Sequence, residues 1–323
     1  MSVRLHRFAQ FVAGCTLLLI LAGSLVTSHD AGLSVPDWPT TYGWNMFTFP
    51  PSMWVANIFY EHGHRLIASA VGFLTIILAA WLWRTEPRGW LRWLGAAALG
   101  AVIAQGLVGG ITVLFFLPVA VSTAHAGLAE IFFCMTVAIA LFTSPSWIRG
   151  YPPPHADEAG HATLRRLSTA TTLVVYVQIL IGATMRHMGA GLAIPDFPLM
   201  FGGLVPDHWN PAIAVHFAHR AGALGVCGLI ATTALVAWRQ NAFGVALKRP
   251  AALLVVVLAV QVTLGALTIL SLRDPWINSL HVVCGALVLA TTLVMALRTW
   301  RTHIVRVADM SFDRQRMHAL RHA

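Results

Sequence analysis

Ala31-Gly-Leu-Ser-Val-Pro-Asp-Trp-Pro39 is answered by Ala190-Gly-Leu-Ala-Ile-Pro-Asp-Phe-Pro198 in a chain of 323 residues. The same duplication carries His64-Arg65 over to His219-Arg220, and Gln105-x-x-x-Gly109 over to Gln261-x-x-x-Gly265. His125 follows His64 at nearly the interval at which His281 follows His219. Spacing matched on this scale marks an internal repeat, two similar halves that each carry a pair of histidines in apolar surroundings.

Around the repeat, 57% of residues are hydrophobic and 10% charged, the composition of an integral membrane protein. Apolar stretches of about 20 residues, enough to cross a bilayer, run near 8–28, 61–83, 93–117, 122–143, 167–187, 211–238, 250–272 and 278–298. Lipid leaves no partner for an unpaired backbone group, and these runs lack the alternation of barrel strands, so each is expected to be a helix. The expected fold is all-α, with eight transmembrane helices as two four-helix bundles related by a pseudo-two-fold axis. Residues 1–150 form the first bundle, 151–166 a cytoplasmic linker with Pro152-Pro153-Pro154, and 167–323 the second bundle. Four helices per half make the repeat parallel, which counts against an inverted-repeat transporter. The first run has no small-residue cleavage site and is expected to remain as a helix.

All but four of the 21 Lys and Arg residues fall on one side of this arrangement, among them Arg4, Arg84, Arg149, Arg165, Lys248 and Arg298. That side is expected to be cytoplasmic, with both termini there, in a bacterial-type cell membrane. The net charge of +9 then describes topology and contact with anionic membrane lipid. No basic cluster interleaved with stacking aromatics points to nucleic acid. Cys15, Cys134, Cys227 and Cys284 lie within the spans, so no disulfide framework is indicated. The outer segments 29–60 and 188–210 hold the Pro-Asp-aromatic-Pro repeat and are expected to cap the two halves.

His64 and His125 fall in the first turns of the second and fourth spans, and His219 and His281 in the outer parts of the sixth and eighth. Two histidines from different helices of a four-helix bundle are an ordinary means of holding a haem iron axially. Polar groups at membrane depth are costly and usually kept for a purpose, which sets these four apart from the interfacial histidines elsewhere in the chain. The four arginines on the outer side, Arg65, Arg186, Arg220 and Arg273, lie just beyond them and suit the propionates of a doubly acidic planar ligand.

The halves differ three residues before the first histidine of each pair, where Glu61 is replaced by His216. Positions three apart share a helix face, so Glu61 is expected beside whatever His64 contacts. Two readings stand side by side: a proton-handling group present in one half only, or an acidic residue that favours the helix N-terminus. Glu130, the one acidic residue well inside a span, either bonds a neighbouring helix or serves a proton path. Gln105, Gln178 and Gln261, each with Gly four residues later, read as packing positions where a small residue allows close approach and an amide bonds across the interface.

Together these residues resemble the haem A synthase family, membrane enzymes related to mitochondrial Cox15 proteins and their bacterial counterparts. The resemblance covers about residues 8–298 and is carried by the two Ala-Gly-Leu-x-(Val/Ile)-Pro-Asp copies, Glu61-His-Gly-His64-Arg65, His125, His219-Arg220 and His281. It implies oxidation of a ring methyl of haem O to a formyl group by successive hydroxylations, with haem b as a relay cofactor. It further implies that haem b is held by His219 and His281, that the substrate haem sits between His64 and His125, and that Glu61 is the catalytic acid. The implied partners are haem O, an external electron donor, haem O synthase and cytochrome oxidase assembly factors; homo-oligomers are compatible with it. Two departures stand out. The outer loops lack the cysteine pair of many members, and Thr27-Ser28-His29-Asp30 replaces an arginine that the second copy keeps as Arg186. A di-haem b-type electron-transfer cytochrome fits the four histidines equally; Glu61, which an electron carrier does not need, separates the two.

Overall fold

The computed structural model describes residues 3–149, 158–239 and 245–321. Among them are eight helices long and apolar enough to cross a membrane. The spans are α1 (Val3–Ser28), α2 (Asn57–Thr85), α3 (Gly89–Leu114), α4 (Val119–Phe142), α6 (Glu158–His187), α7 (Pro211–Arg239), α8 (Val245–Leu270) and α9 (Pro275–Arg321), with a short α5 (Pro145–Arg149) after the first four. The chain is a multi-pass, all-helical membrane protein.

The boundaries differ from expectation where polar residues open a helix. α2 begins at Asn57 rather than near residue 61, following a 3-10 turn at Pro51–Met53 and a three-residue connection that ends at the cap residue Ala56. His64 therefore lies two turns inside its helix, not in the first. α6 absorbs the end of the expected linker, and Pro152-Pro153-Pro154 lies outside the described residues.

Helix contacts repeat between the halves. α1 packs on α2 and α4, α2 on α3 and α3 on α4; in the same way α6 packs on α7 and α9, α7 on α8 and α8 on α9. The halves meet through α1 with α9, α4 with α6, and α4 with α9. Between helices in lipid, the driving force is close packing and internal hydrogen bonding rather than exclusion of water. Buried hydroxyls comply by bonding back into their own helices, as Thr16 does to the Val12 carbonyl (2.9 Å) and Thr75 to that of Val71 (2.8 Å). Others link helices, as Thr171 and Thr233 do at 2.9 Å.

Where the halves touch, Arg186 of α6 donates to the Ser24 hydroxyl (3.0 Å), the Ser24 carbonyl (2.7 Å) and the Ser28 hydroxyl (2.7 Å) of α1. Ser28 in turn meets Ser279 (2.9 Å) and Asn278 (3.2 Å) of α9. This knot ties three helices at the end where the long loops lie.

Candidate functional site

Both loops are built on one plan. Asp37 accepts the main-chain N–H groups of Tyr42 (2.8 Å) and Gly43 (2.9 Å), and Asp196 those of Phe201 (2.8 Å) and Gly202 (2.9 Å). Tyr42 and Gly43 have φ of 50° and 76°, and Phe201 and Gly202 have 58° and 79°. Two successive left-handed residues between bridged partners are the pattern of a type I′ turn, here closed by Thr41 with Trp44 and by Met200 with Gly203. A left-handed side chain costs roughly 1–2 kcal/mol, which the aspartate's bonds to the turn offset. Burial works against the Asp37 carboxylate, but the bonds from Gly43, Thr40 and Tyr42 outweigh it and hold its carboxyl below the ordinary range. The main-chain bonds from Gly202 and Phe201 do the same for Asp196.

Of the apolar letters of the repeat, the loops bury the first and fifth, Ala31, Val35 and Ile194 at 0% exposed and Ala190 at 3%, while Leu33 and Phe197 face outward. Trp38 lies across α3 at Gly110, close enough that a Cβ there would strike its ring.

Arg65 and Arg220 pin these loops down. Arg65 donates to the carbonyls of Asp37 (2.7 Å), Thr40 (3.0 Å) and Val35 (2.8 Å), and to Glu61 Oε1 at 2.7 Å. Arg220 donates to the carbonyls of Leu199 (3.0 Å), Ile194 (3.1 Å) and Asp196 (2.7 Å), and its Nε lies 3.2 Å from His216 Nε2. Glu61 Oε2 accepts the N–H of Val35 (2.8 Å), as His216 Nδ1 accepts that of Ile194 (3.2 Å). His62 completes the first anchor, packed between the rings of Phe49 and Trp54 and bonded to Thr41. The arginines proposed from sequence as propionate partners are thus divided. Arg65 and Arg220 are engaged by the loops, whereas Arg186 keeps a buried Nε with no partner among the described residues. Arg273 stands at the loop end beside Gly191.

Each of the four repeat-matched histidines faces a glycine on the neighbouring helix. A Cβ built on Gly23, Gly109, Gly182 or Gly265 would lie 2.9, 3.0, 2.8 or 3.0 Å from Cε1 of His64, His125, His219 or His281 respectively. The imidazoles are seated edge-on in notches that only glycine leaves open. They keep partial accessibility, while the loop anchors His62 and His216 beside them are sealed at 0% and 2%.

The glutamines reach these same rings. Gln105 Nε2 lies 3.3 Å from His125 Nε2 and donates to the His125 carbonyl at 3.0 Å. Gln178 Nε2 lies 3.0 Å from His219 Nδ1 and donates to the His219 carbonyl at 2.7 Å. His281 Nδ1 donates to the Gln261 main-chain carbonyl at 3.1 Å, with the Gln261 amide 3.5 Å from Nε2. The packing role expected of these residues is therefore directed at the histidines themselves. A signal for it stood in the numbering: Gln105 precedes His125, and Gln261 precedes His281, by the same interval.

His219 and His281 meet across the second half with ring centroids 6.4 Å apart and planes at 79°. A metal–imidazole bond is about 2.0 Å, and the ring centre lies ~1.1 Å beyond the nitrogen, so one ion gripped by both rings requires roughly 6.3 Å. The separation is of the size that one metal ion held by both rings would need. Among the described residues no group of three or more His, Cys, Asp or Glu could hold a metal ion. A two-histidine set leaves the remaining positions to a macrocycle.

Residues 6–293 match the family described as COX15-CtaA, cytochrome oxidase assembly protein. The chain belongs to this family. Among its relatives, the heme A synthase of Symbiobacterium thermophilum is 30% identical over 257 residues, 78% of this chain and 81% of that protein. The heme A synthase of Rhizobium etli is 28% identical over 339 residues, covering 92% and 89%. That of Geobacillus kaustophilus is 26% identical over 317 residues, covering 96% and 97%. The family match spans both loop copies and all four glycine-seated histidines, so the duplicated frame lies inside the shared region.

Glu130 sits apart from these rings. It is 4% exposed on α4, one turn from Gly127, whose carbonyl meets the Tyr176 hydroxyl of α6 at 3.4 Å. Its Oε2 is buried with no partner among the described residues.

Proposed function

We propose that the chain is a haem A synthase that oxidises the ring methyl of haem O to a formyl group by successive hydroxylations, with haem b as its cofactor. Family membership supports the reaction, and the observation that carries the site is the 6.4 Å separation of His219 and His281. In this reading those two histidines hold haem b, Gln178 and Gln261 orient them, and the unpartnered Nε of Arg186 receives an anionic propionate. When bound, haem b supplies one-electron transfer from a donor outside the chain.

His64 and His125 take the substrate haem in the first half. Glu61 stands three residues from His64 as the acid of that site, and its contacts with Val35 and Arg65 fix where it can give and take a proton. The Asp37 loop, with Trp38 against α3, keeps water from the pocket mouth. Glu130, with an unsatisfied oxygen between the halves, serves as a step on a proton path. The loops face the outer side and both termini the cytoplasm, in the orientation set by the basic residues.

The test is to co-express the chain with a haem O source in a host lacking haem A, extract the haems and identify them by mass. Haem A or its hydroxylated precursor is the expected product. Haem b with unchanged haem O, from folded and haem-loaded protein, would overturn the synthase reading in favour of an electron-transfer cytochrome.

A further inference from the structure

The loop repeat fixes a correspondence that runs back into the helices before it: Ala31 matches Ala190, so Thr27 matches Arg186 and Ser28 matches His187. These four residues stand where α1 and α6 end, and each of those helices also packs on the other half, α1 on α9 and α6 on α4. In the second half Arg186 lies close enough to His281 for their charges to repel, and its guanidinium meets the Ser28 hydroxyl of α1 at 2.7 Å. In the first half the roles are exchanged. Thr27 turns its hydroxyl back to the Gly23 carbonyl (3.4 Å), and it is His187 of α6 that comes within electrostatic reach of His125. The second site has a cation from its own half and a hydroxyl from the other. The first has a hydroxyl from its own half and an imidazole from across the interface.

Helix geometry puts that imidazole on the loop side of His125. α4 begins and α6 ends at the loops, and the two helices touch where Gly127 meets Leu180 and Tyr176. From there His187 is seven residues toward the loops, about 10 Å by the rise of a helix, and His125 is two residues, about 3 Å. The difference places His187 roughly 7 Å beyond His125. It is half-buried there and has no hydrogen-bond partner among the described residues.

We propose that His187 is a substrate-positioning residue of the first half, supplied by the second, whose ring donates to a propionate carboxylate of haem O in place of the arginine that Thr27 does not provide. The inference rests on the haem A synthase reading and deepens it. Other cations at that end of the first half are engaged elsewhere. Arg65 gives its donors to Val35, Asp37, Thr40 and Glu61, and His29 bonds the Leu25 carbonyl and stacks on Tyr60. The position that matches Arg273 is Leu117, which stands beside Gly32 as Arg273 stands beside Gly191. A carboxylate brought to this place loses its water and needs a donor in return. An imidazole N–H donates whether the ring is neutral or charged, and a bond to an ionised oxygen is among the stronger kinds. Because the donor comes from α6, the substrate site is complete only when the two halves are packed together.

The full chain, purified in detergent with haem b bound, is titrated with haem O and with its dimethyl ester, whose propionates carry no charge, and binding is followed by absorbance. The unaltered chain should prefer the acid to the ester. His187→Leu should weaken haem O binding about 10-fold, the loss of one hydrogen bond to a charged group, and should leave the ester bound as before, so that the preference disappears. His187→Phe, which keeps a ring without its N–H, should do the same, and His187→Arg should keep the preference. Haem b per polypeptide should be unchanged in all three, and KM for haem O should rise in the first two with kcat retained. A preference that survives in His187→Leu or His187→Phe would overturn the proposal. So would equal weakening of acid and ester, which is what lost packing alone produces, or failure of the unaltered chain to bind haem O. Conversion is read separately by mass. Conversion with the preference intact in His187→Leu removes this inference and leaves the synthase reading standing. A preference that responds to the variants, in a chain that converts nothing, supports the His187 contact and removes the synthase reading.

Discussion

Glu61 and His216 occupy the same place in the two halves, each accepting a loop N–H, from Val35 at 2.8 Å and from Ile194 at 3.2 Å, and each meeting the arginine four residues on. A neutral imidazole is therefore sufficient to anchor the loop. The carboxylate of the first half exceeds what anchoring requires, and that surplus is what a proton-handling role would use.

Exchanging the two residues separates these roles. Glu61→His should keep the first loop closed and haem bound, while haem O conversion falls about 10²–10⁴-fold, the usual contribution of a general acid or base. Glu61→Gln should behave alike. Mass analysis of extracted haems decides the matter, and normal conversion in Glu61→His would remove the carboxylate from the mechanism.

The glycine notches give a second prediction. Gly182→Ala and Gly265→Ala place a methyl 2.8 and 3.0 Å from the rings of His219 and His281, an overpacking that typically costs about 1–3 kcal/mol. Haem b per polypeptide should fall in both. Gly14→Ala, on α1 with nothing within 4 Å of the added carbon, should leave haem content unchanged. Equal haem content across the three variants would show that the notches do not set ring position.

Removing the two loop arginines should not cost the same. Arg65→Met leaves Glu61, 3% exposed, without its ion pair, and breaking a buried pair costs about 3–5 kcal/mol. Arg220→Met leaves the neutral ring of His216. Thermal unfolding in detergent should show a larger loss for Arg65→Met; the opposite order would mean that the Arg65 and Glu61 pair contributes little.

Acid should loosen the loops. Asp37 and Asp196 titrate below the ordinary carboxylate range, so their bonds to the turns add stability that is complete above the unfolded value, about 3.9, and is lost as pH falls through the lowered folded values. Proteolysis within residues 29–56 and 188–210 should stay slow down to about pH 4 and accelerate below it, and Asp37→Asn should flatten the response of the first loop. A rise in cleavage between pH 7 and 5 would contradict this assignment.

Eight apolar runs, their helical nature and the duplication were legible in the sequence, because lipid leaves a backbone no other way to satisfy its polar groups and because repeated loop letters need no partner to be recognised. The four histidines were legible too, as polar residues at matched depth. What each side chain faces was decided only by the tertiary structure. Arg65 reads from sequence as a cation beside a histidine, yet its donors go to loop carbonyls up to 30 residues back along the chain. Gln178 reads as a packing amide, yet it lies against an imidazole 41 residues on. Helical periodicity specifies which residues share a face. Which faces meet, and that glycines open notches for rings rather than for backbones, depends on how α1 sits on α2 and α6 on α7, a relation between helices that no single helix encodes.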